Sequence, residues 1–180
     1  SVAKWIDSWT GPTMLDAVSE SMAPAGSQPT RSSSQTRRVA AIDIGTNSTH
    51  LLVASVDTTL GTFSIEQAEK STTRLGERDP DSGELTAAGM QRGYETLRRF
   101  RDLAISHDVE QIVTAATSAV REAPNGREFL QSIQDGLCMD VDLVSGPEEA
   151  RLIYLGVLSG MSFGDRPHLL LDIGGGSTEL

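Results

Sequence analysis

Two stretches of this chain join an aspartate to a tight turn of small residues and hydroxyls. Asp43-Ile44-Gly45-Thr46-Asn47-Ser48-Thr49 and Asp172-Ile173-Gly174-Gly175-Gly176-Ser177-Thr178 share Asp, Ile, Gly, Ser and Thr in register, 129 positions apart. Each follows an apolar run. The chemistry suits phosphate. Small residues let the backbone approach an oxyanion, and successive N–H groups in a turn form a concavity that binds anions. The hydroxyls add donors, and an Asp at the strand end suits hydrated Mg²⁺, which favours carboxylate and water oxygens. A single such turn is an ordinary glycine hairpin. Two copies, each opening a similar unit, argue for phosphate binding. Neither is a Walker A loop, since no Gly-Lys-Ser/Thr follows, and neither is a G-x-G-x-x-G dinucleotide fingerprint.

Two further positions bear on this chemistry. Arg121 follows a small-residue stretch at a strand end, a common ligand position in α/β sheets; a surface arginine is the alternative. Glu148 and Glu149 stand in the first turn of a helix, where the helix dipole alone favours acids. Either could also serve as a base toward water. His50 reads as a strand residue packing locally, and Cys138 as a small core residue.

The elements that must position these groups are legible in order. Residues 39–44 form a short apolar run, read as a buried strand. Turn chemistry at 45–48 and a β-branched run at 49–56 make a hairpin, and 62–73 alternates as a third strand. Thr86 reads as the N-cap of a helix to about Ser106, with Met90, Tyr94, Leu97, Arg101 and Ala104 on one face. A strand at 111–116, a helix at 127–135 after Pro124-Asn125-Gly126, a strand at 139–144, a helix at 147–158 and a strand at 168–173 follow. Three antiparallel strands continued by parallel crossovers give one α/β mixed sheet with helices on its faces. This is the ribonuclease-H-like topology that the actin-like ATPase fold uses twice.

Composition bounds the function. The 180 residues are enough for one large domain or two small ones. Hydrophobic residues plus glycine make up about 47%, an ordinary globular share. The net charge of −10 argues against sequence-independent nucleic-acid binding, and no nucleic-acid partner is expected. It leaves room for an anionic substrate in a local pocket. Thirteen of the fifteen basic residues are arginines, whose planar forks suit phosphate. One Cys and no Cys/His cluster exclude a disulfide scaffold and a zinc site. No apolar run approaches the roughly 20 residues of a membrane helix, and residues 1–30 carry no apolar signal core. The expectation is therefore cytoplasmic, with no membrane partner. Residues 1–36 are Ser/Pro-rich, ending Arg-Ser-Ser-Ser-Gln-Thr, and read as a disordered leader. The chain opens on Ser, and Met14 and Met22 lie upstream of the regular pattern. An over-extended start or a fusion remnant is expected for the first 13 or 21 residues.

The blocks AAIDIGTNSTHLLV, TRLGE, LTAAGMQRGYETLRRF, AATSAVREAPNGREFL, VSGPEEARLIYLGV and LLLDIGGGSTEL, in that order, resemble the exopolyphosphatase / guanosine pentaphosphate phosphohydrolase (Ppx/GppA phosphatase) family from about Arg38 to Leu180. Sugar kinases and actins share the phosphate turns but not SGPEEAR. The resemblance implies an actin-like two-domain fold with its active site in the cleft. It implies Mg²⁺-dependent hydrolysis of terminal phosphate from polyphosphate, or of the 5′-γ-phosphate of guanosine pentaphosphate. By the same resemblance Glu149 is the general base and Arg121 binds phosphate. Asp172 and Glu179 are the acids near the metal. Asp43, Gly45, Asn47 and Ser48 form the first phosphate turn, and Gly174, Gly175, Gly176, Ser177 and Thr178 the second. The leader matches no part of the family, and the chain stops one residue past the second motif. The expected organisation is a leader at 1–36, a first actin-like domain at 37–166 and the start of a second at 167–180. The chain then reads as a fragment, inactive alone, of a longer protein that is a homodimer in its full-length form. An actin-like kinase and a non-catalytic phosphate- or nucleotide-binding module are the alternatives.

Overall fold

The computed structural model describes residues 36–161, 163–164 and 167–179. The leader and the reading of its composition lie outside the described residues. Eleven elements follow in order: β1 (Thr36–Ile44), β2 (Thr49–Asp57), β3 (Thr62–Ser71), α1 (Ala87–Ser106), β4 (Gln111–Ala116), α2 (Ser118–Arg121), α3 (Gly126–Leu137), β5 (Asp142–Leu143), α4 (Gly146–Gly160), β6 (Asp172–Ile173) and β7 (Thr178–Glu179). The five-stranded sheet runs β3-β2-β1-β4-β5, and β6 and β7 pair separately. Strand β1 is antiparallel to β2 and parallel to β4, and β4 is parallel to β5. This is the expected mixed sheet.

Alternation along β1 decides where the core lies. Ala40, Ile42 and Ile44 are buried, while Ala41 and Asp43 face the other way and are exposed. The buried set meets Leu51 and Val53 of β2, Leu97, Phe100 and Ala104 of α1, and Phe129 and Ile133 of α3. Helix α1 starts where expected, with the Thr86 hydroxyl accepting from the Gly89 N–H, a side-chain cap for one of the unpaired donors of the first turn. Asn125 ties the loop before α3 to the loop before α1. Its carboxamide accepts from the Leu85 N–H at 2.8 Å and donates to the Leu85 carbonyl at 3.1 Å. Buried amides paired on both sides in this way avoid a desolvation cost.

Three expectations need correction. Strand β5 is two residues rather than 139–144, because only Asp142 and Leu143 lie in register with Ala115 and Ala116; Met139 is buried in the core instead. Likewise only Asp172 and Ile173 of the expected 168–173 strand have a ladder partner, with Thr178 and Glu179. Residues 168–171 have none among the described residues, and Leu169 and Leu171 are exposed. Helices α1 and α3 cover the face on which the core gathers, and no residue of α4 is buried. Cys138 is no core residue. It is exposed at the end of α3 with φ 52°, in the left-handed region, where it stops the helix as a C-cap residue does.

Gly126 holds α3 against α2: a Cβ there would sit 2.0 Å from the Val120 carbonyl oxygen. Gly126→Ala should therefore cost about 1–3 kcal/mol, the usual range for overpacking, read as a lower urea midpoint by far-UV circular dichroism. An unchanged midpoint would mean that α2 moves aside freely.

Candidate active site

The carboxyl end of β1 is where the candidate groups converge. Gly45 closes the first turn by donating its N–H to the Ser48 carbonyl at 3.1 Å, and Gly174 closes the second by donating to the Ser177 carbonyl at 3.0 Å. The sequence repeat is thus a geometric repeat. Register extends it: Asp43 stands opposite His50, and Asp172 opposite Glu179. At Gly45 a Cβ would lie 2.9 Å from the Ser48 oxygen, so this turn is sterically confined to glycine.

The two turns lie against each other. A Cβ on Gly175 would fall 2.5 Å from the Asn47 carboxamide nitrogen, and one on Gly176 would fall 2.6 Å from the Thr46 hydroxyl and 2.8 Å from that of Ser118. The second turn is therefore bare backbone where the first carries side chains. Thr46 and Ser118 themselves hydrogen-bond at 3.2 Å. Ser118 is buried at the start of α2, whose preceding Thr117 donates its N–H to the Ile44 carbonyl. Sequence reasoning missed both hydroxyls. Thr46 occupies a position that differs between the two copies, and Ser118 sits in the block carrying Arg121.

The loop between β3 and α1 is strapped to the first turn. Thr73 and Arg74 both donate to the Asn47 carbonyl, and Gly76 donates to that of Thr46 at 2.8 Å. Backbone groups thus fix the turn from beneath, leaving the Asn47 and Ser48 side chains unencumbered by that role. Ser48 Oγ instead lies 2.9 Å from His50 Nε2.

Helix α2 delivers Arg121, and Ser145 caps α4 by accepting from the Glu148 N–H, which places the two acids of that helix. They differ in what they reach. Glu148 is bound by Arg151 through two nitrogens, at 2.9 and 3.1 Å, and that hydrogen-bonded guanidinium holds its carboxyl below the ordinary range. Glu149 reaches across to Arg121, whose Nη1 donates to Glu149 Oε2 at 3.2 Å and to the Val144 carbonyl at 2.8 Å. Only 15% of the Glu149 side chain is exposed and 25% of Arg121. The geometry thus separates two acids that the sequence left side by side.

Asp43 opens to solvent at its strand end, yet its carboxyl is raised above the ordinary value. Surrounding protein that displaces water is the main cause; His50 opposes the shift and Asp172 reinforces it. The direction of the shift follows the displacement of water, and the Asp172 charge adds to it. Asp43 and Asp172, one from each motif, therefore sense each other. Among the described residues no three His, Cys, Asp or Glu side chains cluster as a metal site, and the Glu179 side chain lies outside the described residues. Two mutually repelling carboxylates beside hydroxyls still form an oxygen donor set that suits a hard divalent cation.

The profile of the Ppx/GppA phosphatase family matches residues 52–180. The chain belongs to the Ppx/GppA phosphatase family. An exopolyphosphatase from Cytophaga hutchinsonii is 34% identical with a TM-score of 0.73 over 79% of this chain and 45% of that one. The Aquifex aeolicus Ppx/GppA family member is 30% identical with a TM-score of 0.69 over 79% of this chain and 46% of its own. The chain therefore spans a little under half the length of these Ppx/GppA relatives. The mixed sheet matches theirs, which is the actin-like ATPase fold. Among the described residues no helix is long and apolar enough to cross a membrane.

The raised Asp43 carboxyl makes a signed prediction for this Ppx/GppA chain. A folded-state pKa above the unfolded one costs nothing where both states are protonated. It weakens the fold increasingly as pH rises from the unfolded value through the folded one. Asp43→Asn should accordingly raise the urea midpoint at pH 7 in metal-free buffer, and the gain should shrink toward pH 4. A gain that is equal at both pH values, or absent, would contradict the crowded-carboxylate account.

Proposed function

We propose that this chain forms one wall of a hydrolase site that releases terminal phosphate from inorganic polyphosphate, or the 5′-phosphate of guanosine pentaphosphate, with Mg²⁺. The observation that carries this reading is the Arg121–Glu149 pair beside two apposed phosphate turns. It joins a phosphate-binding cation to a carboxylate suited to deprotonating water.

Hydrolysis of a phosphoanhydride needs charge neutralisation and alignment more than covalent chemistry. The turn backbones around Gly45 and around Gly174 to Gly176, with the Asn47, Ser48, Ser177 and Thr178 side chains, bind the terminal phosphoryl oxygens. The Arg121 fork neutralises charge on the same group while Nη1 keeps Glu149 oriented. Glu149 takes a proton from the attacking water as its oxygen bonds to the terminal phosphorus. The bridging P–O bond breaks and its electrons leave on the shortened chain. Asp172, with Glu179 and the neighbouring Asp43, would hold Mg²⁺, which screens the negative charge of the phosphates when bound. Catalysis of this kind depends on a complete cleft that holds the substrate in line, and because the chain spans a little under half the length of its relatives, residues 1–180 alone are expected to be inactive.

Glu149→Gln in the full-length protein should lower kcat by roughly 10²–10⁴, the usual worth of a general base, with little change in KM. A kcat within threefold of the unmodified protein removes Glu149 from the chemistry. Arg121→Lys should raise KM for the anionic substrate despite keeping the charge, since a point ammonium cannot copy two-pronged contact; unchanged kinetics return Arg121 to a surface role. Phosphate release with each substrate, with and without EDTA, tests the reaction itself. ATP-dependent phosphorylation of a sugar without phosphate release would replace the reading with a kinase.

A further inference from the structure

The TRLGE segment has no role in the reading so far, although its backbone straps the first turn. Its arginine is unusual in three respects. Arg74 has φ 50°, a left-handed conformation that non-glycine residues adopt rarely. Such outliers persist where surrounding structure holds them, and here the Arg74 N–H is tied to the Asn47 carbonyl at 3.0 Å. The side chain is 67% exposed, and the nearest acid, Glu77, is 3.7 Å away at the edge of ion-pair contact. That acid is already engaged, because Arg92 Nη2 donates to Glu77 Oε2 at 2.6 Å while Arg92 Nε holds the Thr73 carbonyl. The charge of Arg74 is therefore only weakly answered from within the protein.

What Arg74 lines is a cleft of about 560 Å³ walled by Thr46, Asn47, Thr72, Gly76, Glu77 and Gly175. Thr46 and Asn47 of the first turn and Gly175 of the second line this cleft, so it adjoins both phosphate turns. An open cleft adjoining two anion-binding turns and carrying a weakly compensated guanidinium is suited to a chain of anions rather than a lone one.

We infer that Arg74 grips the phosphate next in line behind the one removed, and so makes the site select condensed phosphate chains over single phosphates. The inference rests on the hydrolase reading for its direction of threading, but the contact itself is a binding claim. An exposed guanidinium is screened by water, and its loss should cost about three- to tenfold in affinity. The hydrogen bond from the Arg74 N–H to the Asn47 carbonyl ties its backbone to the first turn.

The test compares Arg74→Gln and Arg74→Lys with the unmodified full-length protein, using tripolyphosphate and orthophosphate as probes. Calorimetry should show tripolyphosphate binding weakened about three- to tenfold by Gln and largely restored by Lys, with orthophosphate affinity unchanged. In turnover Gln should raise KM for tripolyphosphate, Lys should largely restore it, and both should leave kcat within about twofold. Repeating the pair with guanosine pentaphosphate distinguishes the two sources of such a chain. A shift shared by both probes assigns Arg74 to any phosphoanhydride, and a shift confined to tripolyphosphate assigns it to the inorganic chain. Equal loss for tripolyphosphate and orthophosphate, or no loss for either, overturns the inference. If the unmodified protein releases no phosphate, the hydrolase reading fails by itself, and the calorimetric comparison still decides the role of Arg74.

Discussion

Everything near the candidate site depends on β1 being paired along both edges. Its antiparallel partner β2 returns through a four-residue turn, so the Gly45–Ser48 loop must sit at the carboxyl end of the strand. Its parallel partner β4 runs the same way and ends beside it, with Ala116 in register with Ile44. The next residue, Thr117, spends its N–H on the Ile44 carbonyl, and the chain then enters α2 toward Arg121. Parallel pairing thus delivers a cation to the place where antiparallel pairing has delivered a turn. Ligands at the carboxyl ends of strands in α/β sheets reflect this kind of geometry.

The second constraint is the pairing of Arg121 with Glu149. Helix α2 is a single turn with Ser118, Ala119 and Val120 buried, whereas α4 buries no residue. What joins them is polar. Arg121 Nη1 bridges the Val144 carbonyl, just before α4, and the Glu149 carboxylate within it. Half-buried charge-assisted contacts of this type are stronger than neutral ones, and they place Glu149 relative to Arg121 through one guanidinium group.

Much of this was legible in the sequence for physical reasons. Hydrophobic alternation along β1 and the helical spacing in α1 report which face is buried, and Thr86 announces its cap. Repetition of Asp-Ile-Gly and Ser-Thr announced two turns that prove to close by the same hydrogen bond. What escaped depends on contacts distant in sequence. The length of β5 is set by how far Asp142 and Leu143 lie alongside β4. The burial of Met139 and exposure of Cys138 follow from where α3 ends. The helix dipole alone left Glu148 and Glu149 alike, the family resemblance singled out Glu149, and the fold shows that it is Glu149 that reaches Arg121. The left-handed backbone of Arg74 and the engagement of Glu77 by Arg92 likewise appear only in the fold.

The twin closure of the turns carries a consequence for how such a site tolerates change. Both loops obey one local rule at their first glycine and last carbonyl, but between those points they have diverged. Thr46 and Asn47 fill the volume that Gly175 and Gly176 vacate. The duplication has become a complementary pair, like a tooth and its socket. Enlargement of one partner is therefore admissible only with reduction of the other. Substitutions at 46–47 and 175–176 form a single coupled set, in which double exchanges are milder than the single steps that compose them.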